Sequence, residues 1–175
     1  MGSKRSCPQV FTVSPPAESA RPVRLAILDR DGTINEDAGY TFSPAELALT
    51  PWIVEAGHAL DDLGFVLVVA SNQSGVARGF FSDREVLAFN RALADSLGSQ
   101  GVAIRQFLWC PHDSTDLCPN RKPGVGMIEW LQREWSADQT VFVGDAEVDF
   151  DAATAAGVVF LRAGPDLASA IRTMT

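Results

Sequence analysis

Short apolar runs alternate with amphipathic stretches along the chain from residue 23 onward. The runs at 23–29 and 65–70 are almost continuously apolar, as buried parallel strands are. The stretch 50–63 gathers its apolar residues on one helical face, and Ser82 followed by Glu85 is the signature of a capping box. The predicted strands are 23–29, 65–70, 103–109, 140–143 and 157–161, and the predicted helices are 50–63, 82–97, 124–135, 147–156 and 165–173.

This alternation predicts an α/β fold, a three-layer sandwich around a mainly parallel, Rossmann-like sheet. Thr50 and Pro51 are the expected N-cap and first residue of the first helix. Residues 1–22 are rich in Ser, Pro and Arg without apolar periodicity and are predicted to form a mobile N-terminal leader. Residues 23–175 are predicted to form a single domain, with no stretch long enough for a large cap domain.

Polar clusters follow the predicted strands, directly or after a short loop. Because the carboxyl ends of parallel strands lie at the same edge of a sheet, these clusters are expected to converge. Together they offer carboxylates, a hydroxyl, amides and a lysine, which suit Mg²⁺ and a phosphate group. The clusters are Asp29-Arg30-Asp31-Gly32-Thr33, Ser71-Asn72-Gln73-Ser74-Gly75, Arg121-Lys122-Pro123 and Gly144-Asp145-Ala146-Glu147-Val148-Asp149.

This set of residues indicates phosphoryl transfer, which needs a nucleophile, charge neutralisation and a proton donor for the leaving group. Asp29 is the predicted nucleophile, passing through an aspartyl phosphate, and Asp31 is the predicted acid and base. Asp145 is expected to complete a Mg²⁺ site with Asp29. Ser71 and the amides after it are predicted to hold phosphate oxygens, and Lys122 to neutralise developing charge.

Charge and composition narrow the class of partner. The formal net charge is −8, which disfavours binding to nucleic acid or anionic membranes in general. The chain has only two lysines, Lys4 and Lys122, so a lysine beside the predicted phosphate site stands out. Three cysteines are too few for a disulfide framework and favour a cytoplasmic setting. The expected partner is a small phosphorylated metabolite, and the expected state is a monomer.

The four clusters, in this order, resemble the HAD-like phosphohydrolases over nearly all of residues 23–162. Within that family, residues 29–35, 39–40 and 71–79 resemble the D-glycero-D-manno-heptose 1,7-bisphosphate phosphatases. The resemblance implies hydrolysis of that bisphosphate at one phosphate, in heptose supply for lipopolysaccharide. It also implies Mg²⁺ held by Asp29, the main-chain carbonyl of Asp31 and Asp145, with substrate contacts from Ser71, Asn72, Arg121 and Lys122.

A further cluster lies at 110–120. In the resembled family this loop binds structural zinc through Cys, His, Cys and Cys, a set that closes a tetrahedral site. Cys110, His112 and Cys118 match three of these positions, but Asn120 stands at the fourth and is a poor zinc ligand. These three matching positions alone predict, at most, a weaker zinc site. A water molecule, Asp113 or Asp116 could complete it.

Three other functions are compatible with the same residues. Histidinol phosphatases share the first motif, and polynucleotide 3′-phosphatases have a similar second motif, although the acidic charge argues against the latter. A non-catalytic phosphate-binding or receiver-like module would be phosphorylated at Asp29. Such a module has no need of a second carboxylate at Asp31, so Asp31 favours an enzyme.

Overall fold

Two helical layers enclose a six-stranded sheet in the computed structural model, which describes residues 6–16 and 22–174. The strands are β1 (Gln9–Thr12), β2 (Val23–Leu28), β3 (Phe65–Asn72), β4 (Ile104–Cys110), β5 (Ala137–Gly144) and β6 (Val159–Arg162). The helices are α1 (Ile53–Asp62), α2 (Asp83–Gly98), α3 (Gly126–Glu134), α4 (Glu147–Ala155) and α5 (Leu167–Arg172). The strand order is β1-β4-β3-β2-β5-β6, parallel except for β1, which pairs antiparallel with β4.

The two faces of the sheet are both buried, which explains the continuous apolar runs. Successive side chains of β2 point to opposite faces. Leu25 and Ile27 pack with α3 and α4, whereas Ala26 and Leu28 pack with α1, α2 and α5. The predicted three-layer α/β sandwich is therefore confirmed.

Strand β2 lies at the point where the chain reverses direction across the sheet. The chain moves from β2 through β3 to β4, then returns to β5 on the other side of β2. In open α/β sheets this switch point, outside the carboxyl ends of the strands, is where ligands bind. The segments 29–52 and 111–125 that border it contain only the short 3-10 turns Pro44–Glu46 and Ser114–Asp116, so the described residues form no cap domain there.

Local predictions differ from the structure at the N-terminus and at α1. The pattern predicts a mobile leader over 1–22, whereas residues 9–12 form the edge strand β1; residues 1–5 and 17–21 lie outside the described part. Helix α1 begins at Ile53 rather than Thr50, because the Thr50 hydroxyl donates to the Thr33 carbonyl at 2.8 Å instead of capping the helix. The capping box of Ser82 and Glu85 at the start of α2 is confirmed.

Candidate active site

Six of the seven residues predicted to bind phosphate or magnesium meet in an open cavity at the carboxyl edge of the sheet. The cavity has a volume of about 210 Å³. Strand register brings them together, because Leu28 pairs with Val69 on one side and with Val143 on the other. The residues just beyond these three positions therefore emerge side by side. The six are Asp29, Asp31, Ser71, Asn72, Lys122 and Asp145.

Lys122 lies buried between two aspartates. Its Nζ is 2.5 Å from Asp29 Oδ1 and 2.6 Å from Asp149 Oδ1, and only 2% of the lysine side chain is exposed. Burial disfavours the ammonium ion, but the charges of Asp29 and Asp149 outweigh burial, so the pKa of Lys122 is raised. Lys122 therefore holds a fixed positive charge directly beside Asp29.

The cavity nevertheless carries more negative than positive charge. Burial raises the pKa of Asp29; Lys122 opposes the rise, while Asp149 and Asp31 add to it. Loss of hydration and the Asp149 carboxylate likewise raise the pKa of Asp145. One oxygen from each of Asp29, Asp145 and Asp149 lies within 4.8 Å of the others. Carboxylates so placed fit a hard divalent cation such as Mg²⁺, which would relieve their repulsion.

The Asp-Gly-Thr sequence after β2 allows Asp145 to approach the cavity. Gly32 has a φ of 79°, and a Cβ at this position would collide with the Asp145 carboxylate. Thr33 donates its hydroxyl to Asp145 Oδ1 at 3.3 Å. Two features therefore favour glycine at position 32: the positive φ of the backbone, and the Asp145 carboxylate that occupies the space of a side chain.

The Asp31 carboxylate is held by four donated hydrogen bonds. Arg30 donates Nε to Oδ1 at 3.0 Å and Nη2 to Oδ2 at 2.9 Å. Asn35 donates to Oδ1 at 3.0 Å, and Gln73 donates to Oδ2 at 2.8 Å. Arg30 is itself buried and also donates to the Thr41 carbonyl. An ionised carboxylate offers about four acceptor positions, so this network fixes Asp31 in orientation.

Ser71 and Asn72 have different roles at the end of β3. Ser71 accepts a hydrogen bond from Gln73 at 2.7 Å, which leaves its own hydroxyl hydrogen free to point into the cavity. The Asn72 amide instead joins the main chain of Lys122, donating to its carbonyl at 2.9 Å and accepting from its N–H at 3.0 Å. Asn72 thus positions Lys122, although it also lines the cavity.

Comparison with known proteins decides the family. A family model described as polynucleotide kinase 3 phosphatase matches residues 24–156. A D-glycero-beta-D-manno-heptose-1,7-bisphosphate 7-phosphatase of Rhodopseudomonas palustris is 39% identical over 146 residues, covering 78% of this chain and 81% of the relative. The corresponding protein of Photorhabdus laumondii is 38% identical and covers 81% and 82%. The chain belongs to the HAD-like phosphatases.

Solved structures of similar proteins have the same fold as this HAD-like phosphatase. A putative HAD-like phosphatase from Mesorhizobium loti superposes with a TM-score of 0.82 at 28% identity, covering 95% of this chain and 93% of that one. A D,D-heptose 1,7-bisphosphate phosphatase from B. bronchiseptica, complexed with magnesium and phosphate, gives a TM-score of 0.73 at 34% identity and covers 79% of each chain. The prediction of a phosphoric monoester hydrolase is confirmed. Within the described residues, every helix is too short or too polar to cross a membrane.

Arg121 is the predicted residue that the fold of the HAD-like phosphatase does not bring into the cavity. Its Nη1 donates to the His112 carbonyl at 3.1 Å, so the side chain supports the 110–121 loop. That loop reaches the rim of the cavity only through a chain of side-chain contacts. Asp113 pairs with Arg78 at 2.6 Å, and Arg78 donates to the hydroxyl of Tyr40, which lines the cavity.

The cysteine and histidine cluster of this phosphatase is more complete than its loop sequence indicates. Cys110, His112 and Cys118 lie together as expected, and Cys7 joins them from the segment before β1. Asn120, which stands at the expected fourth position, donates its amide to the Cys7 carbonyl. The loop sequence predicts no fourth ligand at Asn120, and the structure places a further candidate, Cys7 from the other end of the chain, beside the other three.

Three residues escaped sequence reasoning for physical reasons. Gln73 sits in the 71–75 cluster, but nothing local showed that its amide turns toward Asp31. Asp149 lies in the 144–149 cluster, but nothing local showed that one of its oxygens pairs with Lys122 while the other accepts from Ala146 N–H. Cys7 was the remaining cysteine outside the 110–120 cluster, but it lies in a stretch whose composition predicts a mobile leader. The sequence therefore offers little reason to place it beside the other two cysteines.

Proposed function

We propose that this phosphatase hydrolyses the 7-phosphate of D-glycero-beta-D-manno-heptose 1,7-bisphosphate in a Mg²⁺-dependent reaction. The observation that carries the phosphoryl chemistry is the cavity in which Asp29, Lys122 and Asp31 converge. The substrate is supported by the two relatives at 39% and 38% identity, both named for the beta anomer. A relative at 30% identity is named for the alpha anomer, so the anomer is part of the test.

Asp29 acts as the nucleophile. Its carboxylate oxygen forms a bond to phosphorus while the ester P–O bond breaks, giving an aspartyl phosphate and a free sugar hydroxyl. Lys122, 2.5 Å from the same carboxylate, orients it and faces the negative charge that spreads over the phosphoryl oxygens. The Ser71 hydroxyl is placed to donate to one of those oxygens.

Asp31 moves the protons. It gives a proton to the leaving oxygen in the first step and takes one from water in the second, when that water attacks phosphorus and releases inorganic phosphate. The four hydrogen bonds donated to Asp31 hold its carboxylate in one orientation for both steps. A protonated Asp31 has to replace one of those hydrogen bonds with its own O–H.

Asp29 and Asp145 are the side chains that would hold Mg²⁺, with the main-chain carbonyl of Asp31 completing the protein ligands. Asp149 lies nearby but is engaged with Lys122 and the N-terminus of α4. When bound, the cation supplies neutralisation of charge on the transferred phosphoryl group. The complex of the B. bronchiseptica relative with magnesium and phosphate supports this cofactor.

The proposal also covers the location, oligomeric state and metabolic role of the enzyme. A cytoplasmic monomer acting on a small phosphorylated sugar, in heptose supply for lipopolysaccharide, accords with the substrate class of the relatives. The net charge of −8 favours a small ester over a polynucleotide, whose phosphates need a basic surface.

A phosphate-release screen tests the substrate. The purified chain is supplied with the beta and alpha heptose bisphosphates, histidinol phosphate and a 3′-phosphorylated oligonucleotide, with Mg²⁺ or with chelator. We expect kcat/KM for the beta heptose bisphosphate to exceed every other value by roughly tenfold or more, which is about 1.4 kcal/mol of preference. Similar rates on all four esters, or a higher rate on the oligonucleotide, would overturn the substrate.

The nucleophile is tested separately with Asp29→Asn. The variant should release no phosphate above background while its circular dichroism stays that of the wild type, since asparagine keeps the shape of the side chain but cannot form the acyl phosphate. Unchanged release by the variant rejects the mechanism, whichever ester is preferred.

A further inference from the structure

Four metal-binding side chains meet at a place distinct from the active-site cavity. They are the thiols of Cys7, Cys110 and Cys118 and the imidazole of His112, and their ligand atoms lie within 4.8 Å of one another. The Cys7 sulfur is 3.5 Å from that of Cys110 and 3.4 Å from that of Cys118. Cys110 Sγ is 3.7 Å from His112 Nδ1.

These separations approach the edges of a zinc tetrahedron. Zn–S bonds of about 2.3 Å and Zn–N bonds of about 2.0 Å give edges of about 3.8 Å between sulfurs and about 3.5 Å between sulfur and nitrogen. Sulfurs 3.4–3.5 Å apart are much farther than the ~2.05 Å of a disulfide, and all three cysteines are free. Shifts of a few tenths of an ångström would bring these three separations to the edge lengths of the tetrahedron.

Strand pairing explains why Cys7 reaches this place. Strand β1 runs antiparallel to β4 with Gln9 opposite Trp109, so the residue two positions before Gln9 falls beside the end of β4, where Cys110 lies. Asn120 then donates its amide to the Cys7 carbonyl at 3.1 Å. The residue at the expected fourth ligand position thus holds the main chain of the cysteine that takes its place.

We propose that Cys7 is the fourth ligand of a structural zinc site completed by Cys110, His112 and Cys118, and that zinc fastens β1 to this loop. Four protein ligands leave no open position, so the site is structural rather than catalytic. Arg121, the residue before Lys122, donates two hydrogen bonds to carbonyls of the ligand loop. Its N–H donates to the Cys118 carbonyl at 3.0 Å, and its guanidinium donates to the His112 carbonyl at 3.1 Å. Zinc would therefore also steady the approach to Lys122, whichever phosphate ester is cleaved.

Zinc content and affinity test the ligand. The full chain is purified under reducing conditions without chelator and compared with Cys7→Ser and with Ser6→Ala, a matched change in the same segment. We expect stoichiometric zinc in the wild type and in Ser6→Ala, and a loss of affinity greater than about 100-fold in Cys7→Ser, since even supporting residues around a metal contribute 10–100-fold. Substituted Co²⁺ should show the absorption of a tetrahedral three-thiolate complex only in the first two proteins.

Two further measurements separate a ligand from a packing residue. With chelator present, Cys7→Ser should match the wild type in circular dichroism and unfolding, because neither protein then holds zinc. The double variant Cys7→Ser, Asn120→Cys should regain zinc, since it restores a thiol beside the other three ligands.

Hydrogen exchange tests the fastening of β1. Chelation should accelerate exchange of the Gln9–Thr12 amides while the interior of α2 stays protected. Unchanged zinc affinity in Cys7→Ser, a wild type that takes up no zinc, or β1 exchange indifferent to chelator would overturn the proposal.

Discussion

Replacement of Lys122 by methionine isolates the energetics of the buried charge cluster. Methionine retains most of the side-chain volume but removes the ammonium group that lies 2.5 Å from Asp29 and 2.6 Å from Asp149. Asp149 is 1% exposed and cannot recover hydration. Removing one partner of a buried ion pair costs about 3–5 kcal/mol, because it leaves uncompensated charge. For a domain of this size that lowers Tm by roughly 6–20 °C.

Urea and thermal unfolding in the presence of chelator measure this effect, because no metal can then substitute for the lysine. Arg133→Met is the matched control, since the Arg133 side chain is 70% exposed and its ion pair with Glu129 is long, at 3.9 Å. The control should stay within about 0.5 kcal/mol of the wild type. A Lys122→Met variant that also stays within about 1 kcal/mol would refute the reasoning.

A double variant distinguishes electrostatics from packing. Asp149→Asn removes one of the two carboxylates that Lys122→Met leaves unpaired, while asparagine can still accept from Ala146 N–H as Asp149 does at 3.2 Å. If charge dominates, Lys122→Met with Asp149→Asn is more stable than Lys122→Met alone by more than about 1 kcal/mol. If the two changes simply add, the cost of Lys122→Met comes from lost packing and the electrostatic account fails.

Three further changes probe the site and the fold. Gln73→Leu removes a donor to Asp31 and should lower kcat roughly 10–100-fold in steady-state assays, since hydrogen bonds to charged groups contribute about 1.5–3 kcal/mol. Gly32→Ala forces a Cβ against Asp145 at a positive φ, so Mg²⁺ titrations of phosphate release should show half-saturation raised roughly tenfold or more. Ser82→Ala breaks the capping box of α2 and should cost about 1 kcal/mol in urea unfolding.

Each of these changes has a control in the same chain. Gln100→Leu removes an exposed glutamine and should leave kcat unchanged. Gly98→Ala adds a Cβ that meets no atom within 4 Å and should not alter Mg²⁺ half-saturation. Ser82→Thr keeps a capping hydroxyl and should recover most of the stability. Equal effects of a test variant and its control would contradict the role assigned to that residue.

The sequence by itself determined most of the fold and the identity of the reacting groups. Apolar alternation is a local property, so it located five of the six strands, and the capping box placed α2 to within a residue. Polar clusters at the ends of parallel strands must share one edge of the sheet, so the sequence alone indicates that Asp29, Ser71 and Asp145 are neighbours. The phosphatase chemistry follows from those residue types and that edge.

Only the tertiary structure decided where long side chains turn and which distant segments meet. Arg121 and Lys122 are adjacent in sequence, yet one supports a loop and the other lies buried between two aspartates. Cys7 lies beside Cys110, 103 positions away in sequence, because β1 pairs with β4. A four-residue edge strand has too short an apolar pattern for that pairing to be predicted from the sequence. Strand register and side-chain packing depend on contacts far apart along the chain, so local pattern could not show them.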